Sequence, residues 1–132
     1  MKILLAEDNL DNRDMLARRL ERRGHQVVIA EDGARAVELA CADRPDVILM
    51  DVSMPVMSGL DATRRLRADP AMKDLKIIAL TAHAMASARE ECLEAGCNAF
   101  ATKPVDFASL LATMEDVVGA LPAANPAGGF AR

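Results

Sequence analysis

Apolar positions along this chain come in two textures. Short unbroken runs, Ile3-Leu4-Leu5-Ala6, Val27-Val28-Ile29-Ala30, Val47-Ile48-Leu49-Met50, Ile77-Ile78-Ala79-Leu80 and Ala99-Phe100-Ala101, alternate with longer stretches in which apolar residues return every three or four positions. The runs are rich in β-branched residues and lie between Pro, Gly, Asp and Asn, which predicts strands buried on both faces. The longer stretches predict amphipathic helices. Strand and helix in regular alternation mean the α/β class: a parallel sheet covered by helices on both sides, with right-handed crossovers.

The spacing predicts strands over Lys2 to Ala6, Gln26 to Ala30, Val47 to Met50, Lys76 to Leu80 and Ala99 to Thr102. The first helix is expected from about Asp11 to Arg23, with Met15, Leu16 and Leu20 inward and Gly24 as its stop. Asp32-Gly33 reads as a turn, and the helix after it puts Ala36, Val37, Ala40 and Cys41 on one face. Ser58 can cap a third helix to about Arg67. A fourth runs from about Ala84 to Ala95 and stops at Gly96. Asp106 caps the last, where Phe107, Leu110, Leu111, Met114, Val117 and Val118 make the clearest apolar stripe. From Leu121 the Pro and Gly content predicts a flexible tail over 121–132, leaving 1–120 as one domain.

At 132 residues the chain can bury a sizeable core as one domain. Its net charge of −4 argues against general affinity for nucleic acid or an anionic membrane. With no Trp, no Tyr and three Phe, it has no aromatic platform for stacking bases or a flavin. Cys41, Cys92 and Cys97 lack the spacing of a zinc or redox pair and read as reduced thiols in a cytoplasmic protein. Glu7 and Asp8 interrupt the opening apolar run too early for a signal peptide, and no segment is apolar enough to span a membrane.

Candidate chemistry sits where the strands end. The third predicted strand stops on Asp51 and then turns at Pro55. In open parallel sheets ligands bind outside the carboxyl ends of the strands, although Asp is also common simply as a turn former. The other ends carry Glu7 and Asp8, Thr81, and Lys103. Taken singly, Thr81 is an ordinary strand-end residue, Phe100 plain core and Lys103 a solvated charge; a parallel sheet brings these strand ends to one edge. Two like charges ~4 Å apart repel by about 4 kcal/mol at an effective dielectric of 20, so gathered carboxylates must share protons or hold a cation. Oxygen donors without His or Cys select a hard ion, Mg²⁺ or Mn²⁺. Such an ion beside a carboxylate, a lysine and a hydroxyl can hold a phosphoryl group while Asp51 attacks it in line, leaving an aspartyl phosphate.

Glu7-Asp8-Asn9, Asp51-Val52-Ser53-Met54-Pro55, Gly59, Thr81-Ala82 and Lys103-Pro104, in this order, resemble the receiver domain of two-component response regulators over residues 2 to about 118. The resemblance implies a flavodoxin-like (βα)5 three-layer sandwich with strand order 2-1-3-4-5. It makes Asp51 the phosphoacceptor, supplied by a histidine kinase or a histidine phosphotransfer protein. Asp8, Asp51 and the backbone carbonyl of Ser53 would bind Mg²⁺, with Glu7 assisting. Lys103 would bridge to the phosphoryl group and its bond to Pro104 would be cis. Thr81 and Phe100 would form the switch, and Ser53 and His83 match positions that tune phosphate lifetime.

Phe100 stands where some members carry tyrosine, so packing alone must report the state. His83 reads equally as a plain surface residue. Arg13, Arg18, Arg19, Arg22 and Arg23 on the first helix fit either a kinase-docking face or a solvated one balanced by Asp11, Asp14 and Glu21. An effector is expected on the fourth helix, fifth strand and fifth helix, where Met85, Ala86 and Ala88 leave little charge. The reading is a stand-alone receiver, monomeric or dimerising on phosphorylation, that signals by protein contact and has no enzymatic output. The alternatives are a receiver module of a hybrid histidine kinase and a haloacid-dehalogenase-like phosphatase. The last needs a second Asp where this chain has Ser53.

Overall fold

The computed structural model describes residues 1–83 and 85–119. Five parallel strands, β1 (Lys2–Ala6), β2 (Gln26–Ala30), β3 (Val47–Asp51), β4 (Ile77–Thr81) and β5 (Ala99–Thr102), form one sheet in the order β2-β1-β3-β4-β5. The helices are α1 (Leu10–Arg22), α2 (Gly33–Asp43), α3 (Gly59–Ala68), α4 (Ala86–Ala95) and α5 (Phe107–Gly119). This is the flavodoxin-like arrangement expected. The predicted tail, 121–132, lies outside the described residues.

Alternation along the strands sends side chains to two cores. Ile3, Leu5, Val47, Leu49, Ile78 and Leu80 meet Leu16 and Leu20 of α1 and Leu110 and Met114 of α5. Leu4, Ala6, Ile48, Met50, Ile77 and Ala79 meet Ala36 and Ala40 of α2, Ala62 and Leu66 of α3 and Cys92 of α4. Each Leu or Ile taken fully out of water contributes ~1.5–3 kcal/mol, so β3 and β4, buried along their whole length, anchor the domain. The edge strand β5 is only half-buried.

Helix starts follow the chemistry of capping. Asn9, Asp32 and Ser58 each accept a backbone N–H three residues on, which satisfies an orphan donor of the first turn. Asp32-Gly33 is therefore a helix entrance and not a free turn. Gly33 is needed there for space, since a Cβ would fall 1.9 Å from the carbonyl oxygen of Met57. α4 differs: Met85 at its cap position makes no side-chain hydrogen bond.

Other details depart from the expected pattern. Met15 is 46 % exposed and Cys41 is exposed, because each sits at the border of its helix's apolar stripe. A short 3-10 turn, Pro70–Met72, follows α3 with Asp69 as its cap. The Arg67 guanidinium donates to the carbonyls of Gly96 and Lys73 and to Asn98 Oδ1. Asn98 Oδ1 also accepts the Ile77 N–H, so one side chain of α3 fastens the C-terminal end of α4 to the starts of β4 and β5.

Candidate functional site

The sheet order brings the ends of β1, β3, β4 and β5 together along one edge. Glu7, Asp51 and Thr81 are buried there, and Asp8 stands exposed at the rim. Carboxylate oxygens of Glu7, Asp8 and Asp51 lie within 4.8 Å of one another.

Each group is held by the chain beside it. Asn9, while capping α1, donates its backbone N–H to Glu7 Oε2 at 3.1 Å. The Ser53 N–H donates to Asp51 Oδ1 at 3.1 Å, and Lys103 Nζ reaches Asp51 Oδ2 at 2.9 Å and Glu7 Oε1 at 3.1 Å. Lys103 is carried there because its N–H pairs with the Thr81 carbonyl at 2.7 Å, one step past the β4–β5 register. Its peptide bond to Pro104 is cis. On the far side, Gly59 lets α3 come close: a Cβ there would lie 2.0 Å from the Asp51 carbonyl oxygen.

Burial is the largest influence on Glu7 and raises its pKa, with Asp51 beside it adding to the rise against the opposing Asn9 N–H and Lys103. For Lys103 burial acts downward, but the carboxylates of Asp51 and Glu7 beside it outweigh that and the pKa is raised. Despite the lysine at ion-pair distance, the buried Glu7 Oε1 has no hydrogen-bond partner among the described residues. A buried carboxylate oxygen left in that condition, among donors that are all oxygens, fits a hard divalent cation.

Thr81 Oγ1 accepts the N–H of His83 at 3.1 Å, and His83 itself is exposed. The register pairs Thr81 with Thr102 and Ala79 with Phe100, so these four side chains share the sheet face of α4. Phe100 is half-buried there. Ser53 is an exposed residue at the mouth of the site.

The α1 arginines divide unequally. Arg13 donates to the Glu7 carbonyl at 3.5 Å, and Arg19 and Arg23 lie over the Phe107 ring at 5.6 and 5.8 Å. Arg18 and Arg22 are exposed without an ion pair among the described residues.

The response regulator receiver domain model matches residues 3–115. The chain belongs to that family. The polar-differentiation response regulator DivK of Brucella anthropi is 32 % identical over 117 residues, 89 % of this chain and 95 % of that protein. Among solved structures, the receiver domain of a sensor histidine kinase from Pseudomonas aeruginosa, with magnesium coordinated in its active-site cleft, superposes with a TM-score of 0.83 at 41 % identity, over 89 % of this chain and 97 % of that one. The receiver domain of Ssk1 from Saccharomyces cerevisiae, crystallised with the histidine phosphotransfer protein Ypd1, gives 0.85 at 26 % identity, over 90 % and 89 %. This chain is thus a receiver domain of two-component signalling, and the dehalogenase-like alternative falls away.

Glu7, Asp8, Asp51, Thr81 and Lys103, singled out from the sequence, do lie at one edge of the sheet, but two features of the site went unforeseen. The sequence did not show that Gly59 must be glycine for want of space, which only the packed α3 reveals. Nor did it foresee Val56, whose φ of 69° places a β-branched side chain in a region it rarely adopts. The Met57 N–H bonds the Pro55 carbonyl at 2.7 Å across it, a three-residue turn that leaves Val56 exposed.

Proposed function

We propose that Asp51 accepts a phosphoryl group from a phosphohistidine and that the phosphorylated domain signals by binding other proteins. The observation that carries this is the group of three carboxylates within 4.8 Å of one another, with Lys103 2.9 Å from Asp51. An Asp51 carboxylate oxygen attacks phosphorus, the P–N bond breaks and the imidazole leaves with a proton. Asp8, Asp51 and the Ser53 carbonyl are the residues to hold Mg²⁺, with Glu7 behind them; Mn²⁺ suits the same donors. The ion, when bound, would neutralise charge on the transferring phosphoryl oxygens. Lys103 neutralises a further oxygen, and the Thr81 hydroxyl gives up the His83 N–H to donate to the phosphate. Phe100 follows it inward, and Ser53 and His83 flank the path by which water removes the group.

The donor is a histidine kinase or a histidine phosphotransfer protein, a reading supported by the Ypd1 complex of the Ssk1 receiver. The effector takes the α4, β5 and α5 face, and the domain is a monomer or dimerises on phosphorylation. The receiver occupies 1–120, works in the cytoplasm, and has no catalytic output beyond its own phosphorylation and dephosphorylation. A stand-alone role has the near full-length match to DivK in its favour, and a place within a hybrid kinase has the Pseudomonas receiver.

Incubation with a small acyl phosphate and Mg²⁺ should add one phosphate by mass, lost in Asp51→Ala and when the metal is chelated. Phosphate still added to Asp51→Ala would overturn the assignment.

A further inference from the structure

Phe100 has a neighbour that the phosphorylation chemistry does not use. The guanidinium carbon of Arg89, on α4, lies 5.0 Å from the centre of the Phe100 ring, closer than either arginine over Phe107. Arg89 is the one basic residue of α4, in the sequence ASAREECLEA. The residues three and four positions away on the helix are Ala86, Met85, Cys92 and Leu93, so no carboxylate stands at the spacing of a helical ion pair. Among the described residues Arg89 makes no salt bridge. The ring face is its partner.

The contact accompanies one arrangement of the residues around Asp51. Lys103 is closed on Asp51, and the Thr81 hydroxyl is engaged by its own loop through the His83 N–H. On the shared face of the sheet only Ala79 lies opposite Phe100 and next along from Thr81. That small residue leaves Phe100 free to follow Thr81, while on the other side the ring is faced by Arg89.

We propose that Arg89 is a positioning residue that latches Phe100 in the unphosphorylated arrangement, setting how readily the domain accepts its phosphoryl group. This rests on the receiver reading above. Moving the ring inward gives up the cation–π contact, so the latch lowers the population ready for phosphorylation by the Boltzmann factor of that contact. At a solvent-exposed site such a contact corresponds to about a two- to five-fold bias.

Arg89→Gln should raise the rate of phosphorylation of the full chain by an acyl phosphate with Mg²⁺ by about two- to five-fold. Arg89→Lys, which keeps the charge, should restore most of the wild-type rate. In a Phe100→Leu background Arg89→Gln should change nothing, because the latch has no ring to hold. The Phe100 ring proton resonances should shift in Arg89→Gln and stay near wild type in Arg89→Lys. Equal rates for wild type and Arg89→Gln, or the same gain with Leu at 100, would overturn the latch while leaving the receiver reading intact. A wild-type chain that takes no phosphate would overturn both.

Discussion

The two halves of the sheet edge are built to different standards. On the β1–β3 side Glu7 and Asp51 are buried, backbone N–H groups fix an oxygen of each, and the adjoining helices α1, α2 and α3 all start on a side-chain cap. On the β4–β5 side α4 begins uncapped at an exposed Met85 and gives only Cys92 and Ala95 to the core. On the proposed function, the carboxylates that would take the phosphoryl group and the metal are held in advance, which lowers the cost of organising them during transfer. The start of α4, which the proposed function gives to the effector, is left with few contacts to lose by moving. Rigidity and looseness here are separate choices of side chain, made a few residues apart.

The strongest way to break that contrast is to disturb the rigid half at its tightest contact. Gly59→Ala puts a methyl group 2.0 Å from the Asp51 carbonyl oxygen, and backbone on both sides must shift. Unfolding in urea should show a loss of about 3 kcal/mol, accompanied by slower phosphate uptake as Asp51 is displaced.

Next in size is a test that the β4–β5 half is loose at one end only. Cys97, beside the end of α4, is buried, and burial is the first cause of a thiol pKa pushed up to about 11 from 9.0. Between those values the folded chain keeps a proton that the unfolded chain has lost, so stability falls as pH rises through that window. At ~1.4 kcal/mol for each pH unit of that window the loss approaches roughly 2–3 kcal/mol. Urea unfolding at pH 8 and pH 11 should show it in wild type relative to Cys97→Ala. A constant difference would mean that Cys97 ionises as freely folded as unfolded.

The smallest effect is the most direct. Ser58→Ala, which removes the cap of α3, should cost about 1 kcal/mol, and Met85→Ser, which supplies one to α4, should gain up to about as much. Hydrogen exchange in the first turn of α4 should slow in Met85→Ser. If both substitutions left stability and exchange unchanged, capping would not distinguish the halves.

Much of this arrangement was legible in the sequence. β1, β2 and β5 could be bounded by residue, since unbroken apolar runs between turn formers leave little choice. Glu7, Asp8, Asp51, Thr81 and Lys103 could be brought together because a parallel sheet puts its strand ends on one edge. Side chains at the margins of helix stripes were not legible. Met15 and Cys41 fit the apolar period yet face water, because the period gives a direction and not how far a neighbouring element reaches. Arg89 over Phe100 and Arg67 under α4 were invisible for a similar reason. Each depends on which helix ends beside which strand, and a lone arginine on a polar helix carries no mark of its partner.

The Arg67 fastening has a mechanical consequence. Gly96 takes a φ of 110°, and a Cβ on it would meet Arg67 Cγ at 2.6 Å, so the chain turns out of the helix directly against the side chain that fastens it. From Gly96 to Met85 the axis runs about 16 Å at ~1.5 Å per residue. A tilt of roughly 10° about that fastened end would carry Met85 ~3 Å and leave Ala95 almost still. On the proposed effector face, a partner holding α4 near Met85 would feel the longest stroke of such a tilt.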